Sequence, residues 1–364
     1  MAAAYLAGHL PHFRGIAITM TLAAVKAIKR ELSMALCPHV LPRHLLLSMF
    51  CISTSACWTD PLQFGLPFLK ETKAILKSYN QSKHFLSKDD QDALLFFNKS
   101  TLYWDMLCST IGAQDTGIID PITTSSAMSS QPWSSQGNLH PWTGVSTEIM
   151  ELFFRSILLC KGFRARMTQD HRQSSRSLQA ALRDIKEARE LHQCLKSFPI
   201  PAEQHICDTG DMLTPKQHLV QIAEAYRLAA MAHLYQTFSD LRNQDTLQNG
   251  YDPVDAEYRV LDLGLKIIRI LEKIPLASAD LRGAPLHDPQ FQDIHHNTLG
   301  ATKRSTEISQ GRQFVLERLS ILESSLPPKP IRVVKELVQT VWAAYDVQGA
   351  GVSQVHWINI MAQF

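Results

Sequence analysis

The sequence lacks the local signatures that fix metal, nucleotide or acyl-transfer chemistry to a chain. Seven cysteines (Cys37, Cys51, Cys57, Cys108, Cys160, Cys194 and Cys207) are scattered with no pair closer than six positions. A binuclear zinc cluster needs paired Cys-x-x-Cys steps, because neighbouring thiolates on a short loop grip each metal. That spacing is absent. An odd count spread over helical segments argues for reduced, buried thiols in an intracellular compartment rather than for disulfides. An excess of one charge is missing too: 36 Lys and Arg stand against 34 Asp and Glu, a formal net charge of +2. Proteins that grip a phosphate backbone usually carry a clear basic excess on one face.

Long apolar runs are also missing. The stretches Gly15–Val25 and Leu45–Trp58 are too short to span a bilayer, and no basic residue precedes Arg14 as a secretory leader would require. Both read as core helices. No Gly-x-Ser-x-Gly elbow and no phosphate cradle of the form Gly-x-x-x-x-Gly-Lys occurs. The tight glycine pair Gly349-Ala350-Gly351 follows a helix rather than a strand, which makes it a turn.

What remains is helical periodicity over 364 residues, 45% of them hydrophobic. One all-α, multi-helix domain over residues 1–364 with a weak waist is expected. Apolar residues at helical spacing (Leu22, Val25, Ile28, Leu32 and Leu36) define a helix over Met20–Leu36, stopped by Pro38 and Pro42. Further helices are predicted over His44–Trp58, Leu66–Tyr79 and Asp89–Ile111, the last opening on Asp89, Asp90 and Asp92, which complement the helix dipole. Residues 112–140 change composition sharply to Ser, Thr, Pro, Gln and Gly, with no charge between Asp120 and Glu148, and are expected to form a mobile loop.

Periodicity then resumes. A helix over Val145–Phe163 sets Ile149, Leu152, Phe153, Leu159, Cys160 and Phe163 largely on one side. The charged segment His171–Phe198 carries a stripe of Leu178, Leu182, Ile185, Leu191 and Leu195 and reads as a solvated amphipathic helix. Thr214-Pro215-Lys216-Gln217 has the form of a capping box with proline at the first helical position. The helix it opens runs to about Leu241 and buries Leu219, Ile222, Tyr226, Ala229, Ala230 and Leu234. Asp255–Ile274 follows, ended by Pro275. The closing helices Arg312–Glu323 and Ile331–Tyr345 are separated by Pro327-Pro328-Lys329-Pro330, and the second aligns Val334, Leu337, Val338, Val341, Trp342 and Tyr345. No strand pattern competes.

No residue set in the sequence earns a catalytic, cofactor or metal role. His287, Asp288, Asp293, His295 and His296 crowd one stretch, but it is aperiodic, and a polar loop explains it better than an ion site. The pairs His9 with His12 and His39 with His44 carry no stronger signal. Asp89, Asp90 and Asp92 are explained by their place at a helix start. Trp104, Trp342 and Trp357 lie in apolar helical faces, where aromatics are ordinarily core.

Several segments together resemble the fungal-specific transcription factor domain, the helical regulatory region that normally follows a six-cysteine binuclear zinc cluster. They are Pro141-Trp142-Thr143-Gly144 leading into Glu148–Phe153, Leu219–Ala230, Phe96–Leu107, Arg312–Leu322, Val334–Trp342 and His356–Met361. Met1–Leu10 already resembles the small-residue early helices of that domain, so no DNA-reading module is expected upstream. Two departures stand out: the zinc cluster with its basic linker is missing, and Leu281–Gln310 is polar and aperiodic where the family shows an apolar helix. Either that stretch is an insertion or the gene model is faulty, and an upstream zinc-cluster exon missing from the gene model would account for the first departure.

The resemblance implies a non-enzymatic, nuclear regulator of transcription that needs no cofactor and controls a metabolic gene set. It would work through protein partners, a DNA-binding relative or a coactivator, touching DNA only indirectly or through a missing N-terminal module. No membrane association is implied, and a homodimer is open. Two readings from other classes stand beside it. One is a helical enzyme that buries an apolar substrate, for which Asp89-Asp90-Gln91-Asp92 is the sole approach to a magnesium motif. The other is an interaction protein that pairs with a full-length relative and blocks it.

Overall fold

The computed structural model describes residue 5, residues 10–34, 39–58, 60, 65–111, 143–169, 175–200, 203, 206, 210–241, 253–275, 300–348 and 356–361. Eleven α-helices are described: α1 (Arg14–Leu32), α2 (Arg43–Ala56), α3 (Leu66–Gln81), α4 (Lys88–Ile111), α5 (Thr147–Gln169), α6 (Ser175–Ser197), α7 (Lys216–Thr237), α8 (Pro253–Leu271), α9 (Gly300–Ser325), α10 (Pro328–Gln348) and α11 (Trp357–Met361). Short 3-10 turns occupy Pro11–Phe13 and Lys83–Phe85. No β-strand occurs among the described residues beyond an isolated bridge at Ser146, so the all-α class holds. The expected loop at 112–140 lies outside the described residues.

The chain divides into two compact units, residues 1–132 with 319–336 and residues 133–318 with 337–364. In the first, α1 packs on α2, α2 on α3 and α4, and α3 on α4. Leu45, Leu46, Met49, Leu76, Tyr79, Leu94 and Phe97 form the main core, and Phe50 meets Trp104 edge-on at 5.7 Å in a neighbouring cluster. Polar pins set the registers. Tyr79 donates its hydroxyl to the carbonyl of Val40 at 3.1 Å, and Asn80 and Asn98 exchange side-chain hydrogen bonds at 3.0 Å between α3 and α4. Lys73 pairs with Asp105 at 2.6 Å across the same helices. Within residues 319–336, Arg332 bonds Glu323 at 2.6 Å and Lys335 donates to Ser320 at 3.0 Å.

The acidic start of α4 has a more specific cause than its dipole. Ser87 accepts the backbone N–H of Asp90 and donates its hydroxyl to that carboxylate, both at 3.1 Å, a reciprocal cap. Arg43 of α2 reaches the other oxygen of Asp90 with Nε and Nη2 at 2.8 and 2.7 Å. Burial pushes the Asp90 carboxyl up, but the bonds from Arg43 and Ser87 outweigh it and hold the group below its ordinary range. Asp89 and Asp92 are exposed, and Asp92 pairs with Lys88 at 3.1 Å.

In the second unit α7 is the central rod, packed against α5, α6 and α8. Leu219, Ile222, Tyr226, Ala229, Ala230 and Leu234 are buried as expected, but so are Ala223, Ala225, Leu228, Met231, Ala232, His233 and Tyr235. From Leu228 to Tyr235 the helix is buried on every side, while Gln217, Gln221, Glu224 and Arg227 keep a partly exposed polar face in its first half. The expected capping box of α7 does not form: Pro215 takes the cap position with no side-chain hydrogen bond, and Thr214 donates instead to Asp211 at 2.7 Å. The helix ends at Thr237, short of Leu241. Arg318 closes α8 by donating to the carbonyls of Leu271 and Ile274 at 3.3 and 3.0 Å.

Three further expectations are corrected. Helix α9 begins at Gly300 rather than near Arg312, so residues 300–310 are helical despite their polarity; Ile308 is buried, and Glu307 pairs with Arg269 at 3.4 Å. In α6 the Leu178 and Leu182 end of the stripe is exposed, and the buried face is Ala188, Leu191, His192 and Leu195. In α1, which starts at Arg14, Leu22 is 65% exposed while Ala17 and Ile28 face inward. Pro328 and Pro330 fall in the first turn of α10, where their missing N–H groups cost no helical bond.

Candidate functional site

The second unit holds a buried polar network where α5, α7 and the short α11 meet. Gly144 adopts φ +66° in the turn before α5, a backbone state that glycine takes without strain. The helix that follows sinks Ile149, Phe153, Ile157 and Cys160. Trp357 of α11 is 1% exposed and donates its indole N–H to Nδ1 of His233 at 3.2 Å. That bond fixes the proton of a neutral His233 on Nε2. His356 accepts the backbone N–H of Ile358 on Nδ1 at 3.2 Å and lies 3.3 Å from the Thr237 hydroxyl through Nε2. Its neighbours therefore match a neutral ring protonated on Nε2. Burial first, then the charge of Arg164 and the closeness of His233, drives the His356 pKa well below its ordinary value.

Around these rings the remaining groups are also tied down. Cys160 donates to the carbonyl of His233 at 3.4 Å, and burial pushes its thiol up to about 12. Arg164 donates to Asn359 at 3.3 Å, and Gln236 bonds the Tyr345 hydroxyl. On the α6 side, His192 Nε2 meets the Tyr235 hydroxyl at 2.8 Å. Lys161 is lowered to about 8 by burial. A thiol raised to about 12 stays protonated at neutral pH, and the two imidazoles are bonded to indole, hydroxyl and backbone. The network docks α11 and specifies its seat.

The tryptophans weighed as pocket linings are core: Trp104 is 0% exposed and Trp342 is 5% exposed. Leu337, Val338, Val341 and Tyr345 are buried beside Trp342, and Arg312, held by Asp346 at 2.8 and 2.9 Å, lies 5.3 Å over its ring. In the first unit Cys57 and Cys108 are likewise pushed up to about 12 by burial, and burial raises Asp105 in spite of Lys73. Of the weighed histidines, His12, His39 and His44 are not buried and come together nowhere; His9, His287, Asp288, Asp293, His295 and His296 lie outside the described residues, as do Cys37, Cys207 and Gly349–Gly351. Among the described residues no group of three or more His, Cys, Asp or Glu is placed to hold a metal ion, and no helix is long and apolar enough to cross a membrane. Nothing in the sequence singled out His233, and His356 entered only as the first residue of the family-like segment His356–Met361.

Large apolar side chains lie exposed on the first unit's α1, on more than one side of the helix. Helix α1 exposes Ile16, Ile18, Met20 and Leu22 by half or more of their area. Its basic residues Lys26, Lys29 and Arg30 are gathered in the second half. In comparisons with known proteins, the family described as the fungal specific transcription factor domain matches residues 2–364. No curated protein and no solved structure gave a match.

Proposed function

Because the chain belongs to the fungal-specific transcription factor domain family, whose members regulate transcription, we propose that it acts in the nucleus through protein partners and reads no DNA sequence by itself. The observation that carries this reading is the family match over residues 2–364. Two features of the sequence support the second half of it. The near-balance of 36 basic and 34 acidic residues supplies little of the counterion-release term that dominates binding to duplexes. No Cys-x-x-Cys step is present to build the base-reading cluster. The DNA contact is then made by a DNA-binding relative or another module, and residues 1–364 act as one regulatory domain upon it, on genes of a metabolic set.

The role proposed is non-enzymatic, and the buried network supports that: its thiol and imidazoles are neutral and engaged. The test pairs two measurements. Fluorescence anisotropy of the purified 364-residue chain on short duplexes should show only weak, salt-sensitive binding without sequence preference. Transcript profiling of a deletion strain should show a coherent set of changed genes. Tight, salt-resistant binding to one duplex, or unchanged transcripts under every growth condition tested, overturns the reading.

A further inference from the structure

Helix α11 is held by two histidines that both accept, and an accepting imidazole cannot be charged without losing its bond. Trp357 Nε1 and the backbone nitrogen of Ile358 are donors only, so the contacts of 3.2 Å to Nδ1 of His233 and 3.2 Å to Nδ1 of His356 allow one assignment of roles. His356 stands directly before α11 and caps it, its ring nitrogen taking the place of the usual side-chain oxygen. A proton added to either Nδ1 turns the acceptor into a donor aimed at another donor. A buried histidine that donates to a carbonyl or carboxylate keeps that bond when charged; these two do not.

The surroundings of His356 offer a charged ring no compensation. His233, His356 and Trp357 are each 1% exposed. Helix α5 brings Cys160, a protonated thiol, and Arg164, a cation; α7 brings His233 and the Thr237 hydroxyl, and Tyr345 of α10 acts on Arg164. Within α11 itself the polar groups are Trp357 Nε1 and Asn359, the latter bonded by Arg164 at 3.3 Å. Among the described residues no carboxylate acts on His356: burial, Arg164 and His233 all favour the neutral ring. The helix these rings hold is five residues long and has little stability of its own, so it can leave its seat without the longer helices.

We propose that α11 is an acid-released latch: protonation of His233 and His356 breaks both Nδ1 bonds and frees α11 from its seat on α5 and α7 while α7 stays folded. In the docked state both rings are neutral; once released, each titrates near the ordinary histidine value of about 6.5. The released state therefore binds more protons, so docking is fully stable above that value and is lost as pH falls below it. With two protons taken up, the opening constant rises about 100-fold from pH 7.5 to pH 5.5, whereas one proton would give about tenfold. The latch stands apart from the transcriptional reading, so either can fail without the other.

Hydrogen exchange of the full chain reads this opening at Asn359 and Ile360, whose N–H groups bond the His356 carbonyl. Expressed as protection factors, the data are free of the pH dependence of intrinsic exchange. Protection at these two amides should fall about 100-fold between pH 7.5 and pH 5.5, while the amides of α7 keep theirs. His233→Asn and His356→Asn each retain an uncharged acceptor near the Nδ1 position, so each should cut the fall to about tenfold, and the double variant should abolish it. The fall is measured within each protein, so a variant with a weaker seat still reports it, and the wild-type profile stands as the test where a variant does not fold. Wild-type protection that stays flat over this range, an equal loss in α7, or asparagine variants that keep the full fall overturns the proposal.

Discussion

Replacing Trp357 separates the two contributions that seat α11. The side chain is 1% exposed, donates to His233 at 3.2 Å and lies 5.4 Å from that ring. Trp357→Phe keeps an aromatic body but removes the N–H, leaving Nδ1 of His233 buried without its donor. Stranding a buried acceptor costs about 1–3 kcal/mol, and the lost volume adds to it. Trp357→Ala removes the body as well and should cost about 3–5 kcal/mol. A five-residue helix has little stability of its own, so the loss should appear first as local release of α11. Hydrogen exchange should show faster exchange at Asn359 and Ile360, whose N–H groups bond the His356 carbonyl at 3.0 and 3.4 Å, before α7 is affected. Urea denaturation followed by far-UV circular dichroism gives the global value. If Trp357→Phe left both exchange and urea midpoint at wild-type values, the indole–imidazole bond would contribute nothing and the network would be packing alone.

Trp342→Ala should cost about 3–5 kcal/mol, since the ring is buried under Arg312 and beside Val338 and Val341; an unchanged Tm would refute that burial. Gly65→Ala should destabilise by about 1–3 kcal/mol, because φ there is +63° and a Cβ would come within 2.7 Å of the Ser53 Cα; a neutral result in urea denaturation would contradict the geometry. Asp90→Asn should be less stable than wild type at pH 7. The folded-state pKa of Asp90 is lowered, so its contribution is complete above the unfolded value near 4 and lost as pH falls through the folded value. The gap between wild type and variant should therefore close with acidification below about pH 4, and a gap that widened there would have the sign wrong.

Helix existence was legible in the sequence, because the apolar period of 3.6 depends only on the pattern along the chain. What each helix faces was not. Leu22, Leu178 and Leu182 belong to apolar stripes yet lie exposed, while Ala223, Ala225 and Ala232 of α7 are buried in addition to the face that periodicity picked out. Alanine fits either environment, so the all-round burial of α7 from Leu228 to Tyr235 leaves almost no compositional trace. The start of α9 was hidden for the opposite reason: of residues 304–310 only Ile308 is buried, so that first half carries few apolar anchors. Caps failed in both directions. Thr214 had the right spacing but found Asp211, whereas Ser87 and Asp90 form the reciprocal cap that spacing alone had assigned elsewhere. The His233–Trp357 bond joins residues 124 positions apart, a pairing no local pattern encodes.

The central claim, that residues 1–364 regulate transcription through partners while another module reads DNA, is tested most directly by supplying that module. The full chain fused to a heterologous DNA-binding domain should change the output of a reporter bearing the matching site, in either direction. The unfused chain should leave that reporter unchanged. A fusion that is expressed, nuclear and bound to its site, yet leaves transcription at the level of the DNA-binding domain alone in every growth condition tried, would contradict the account.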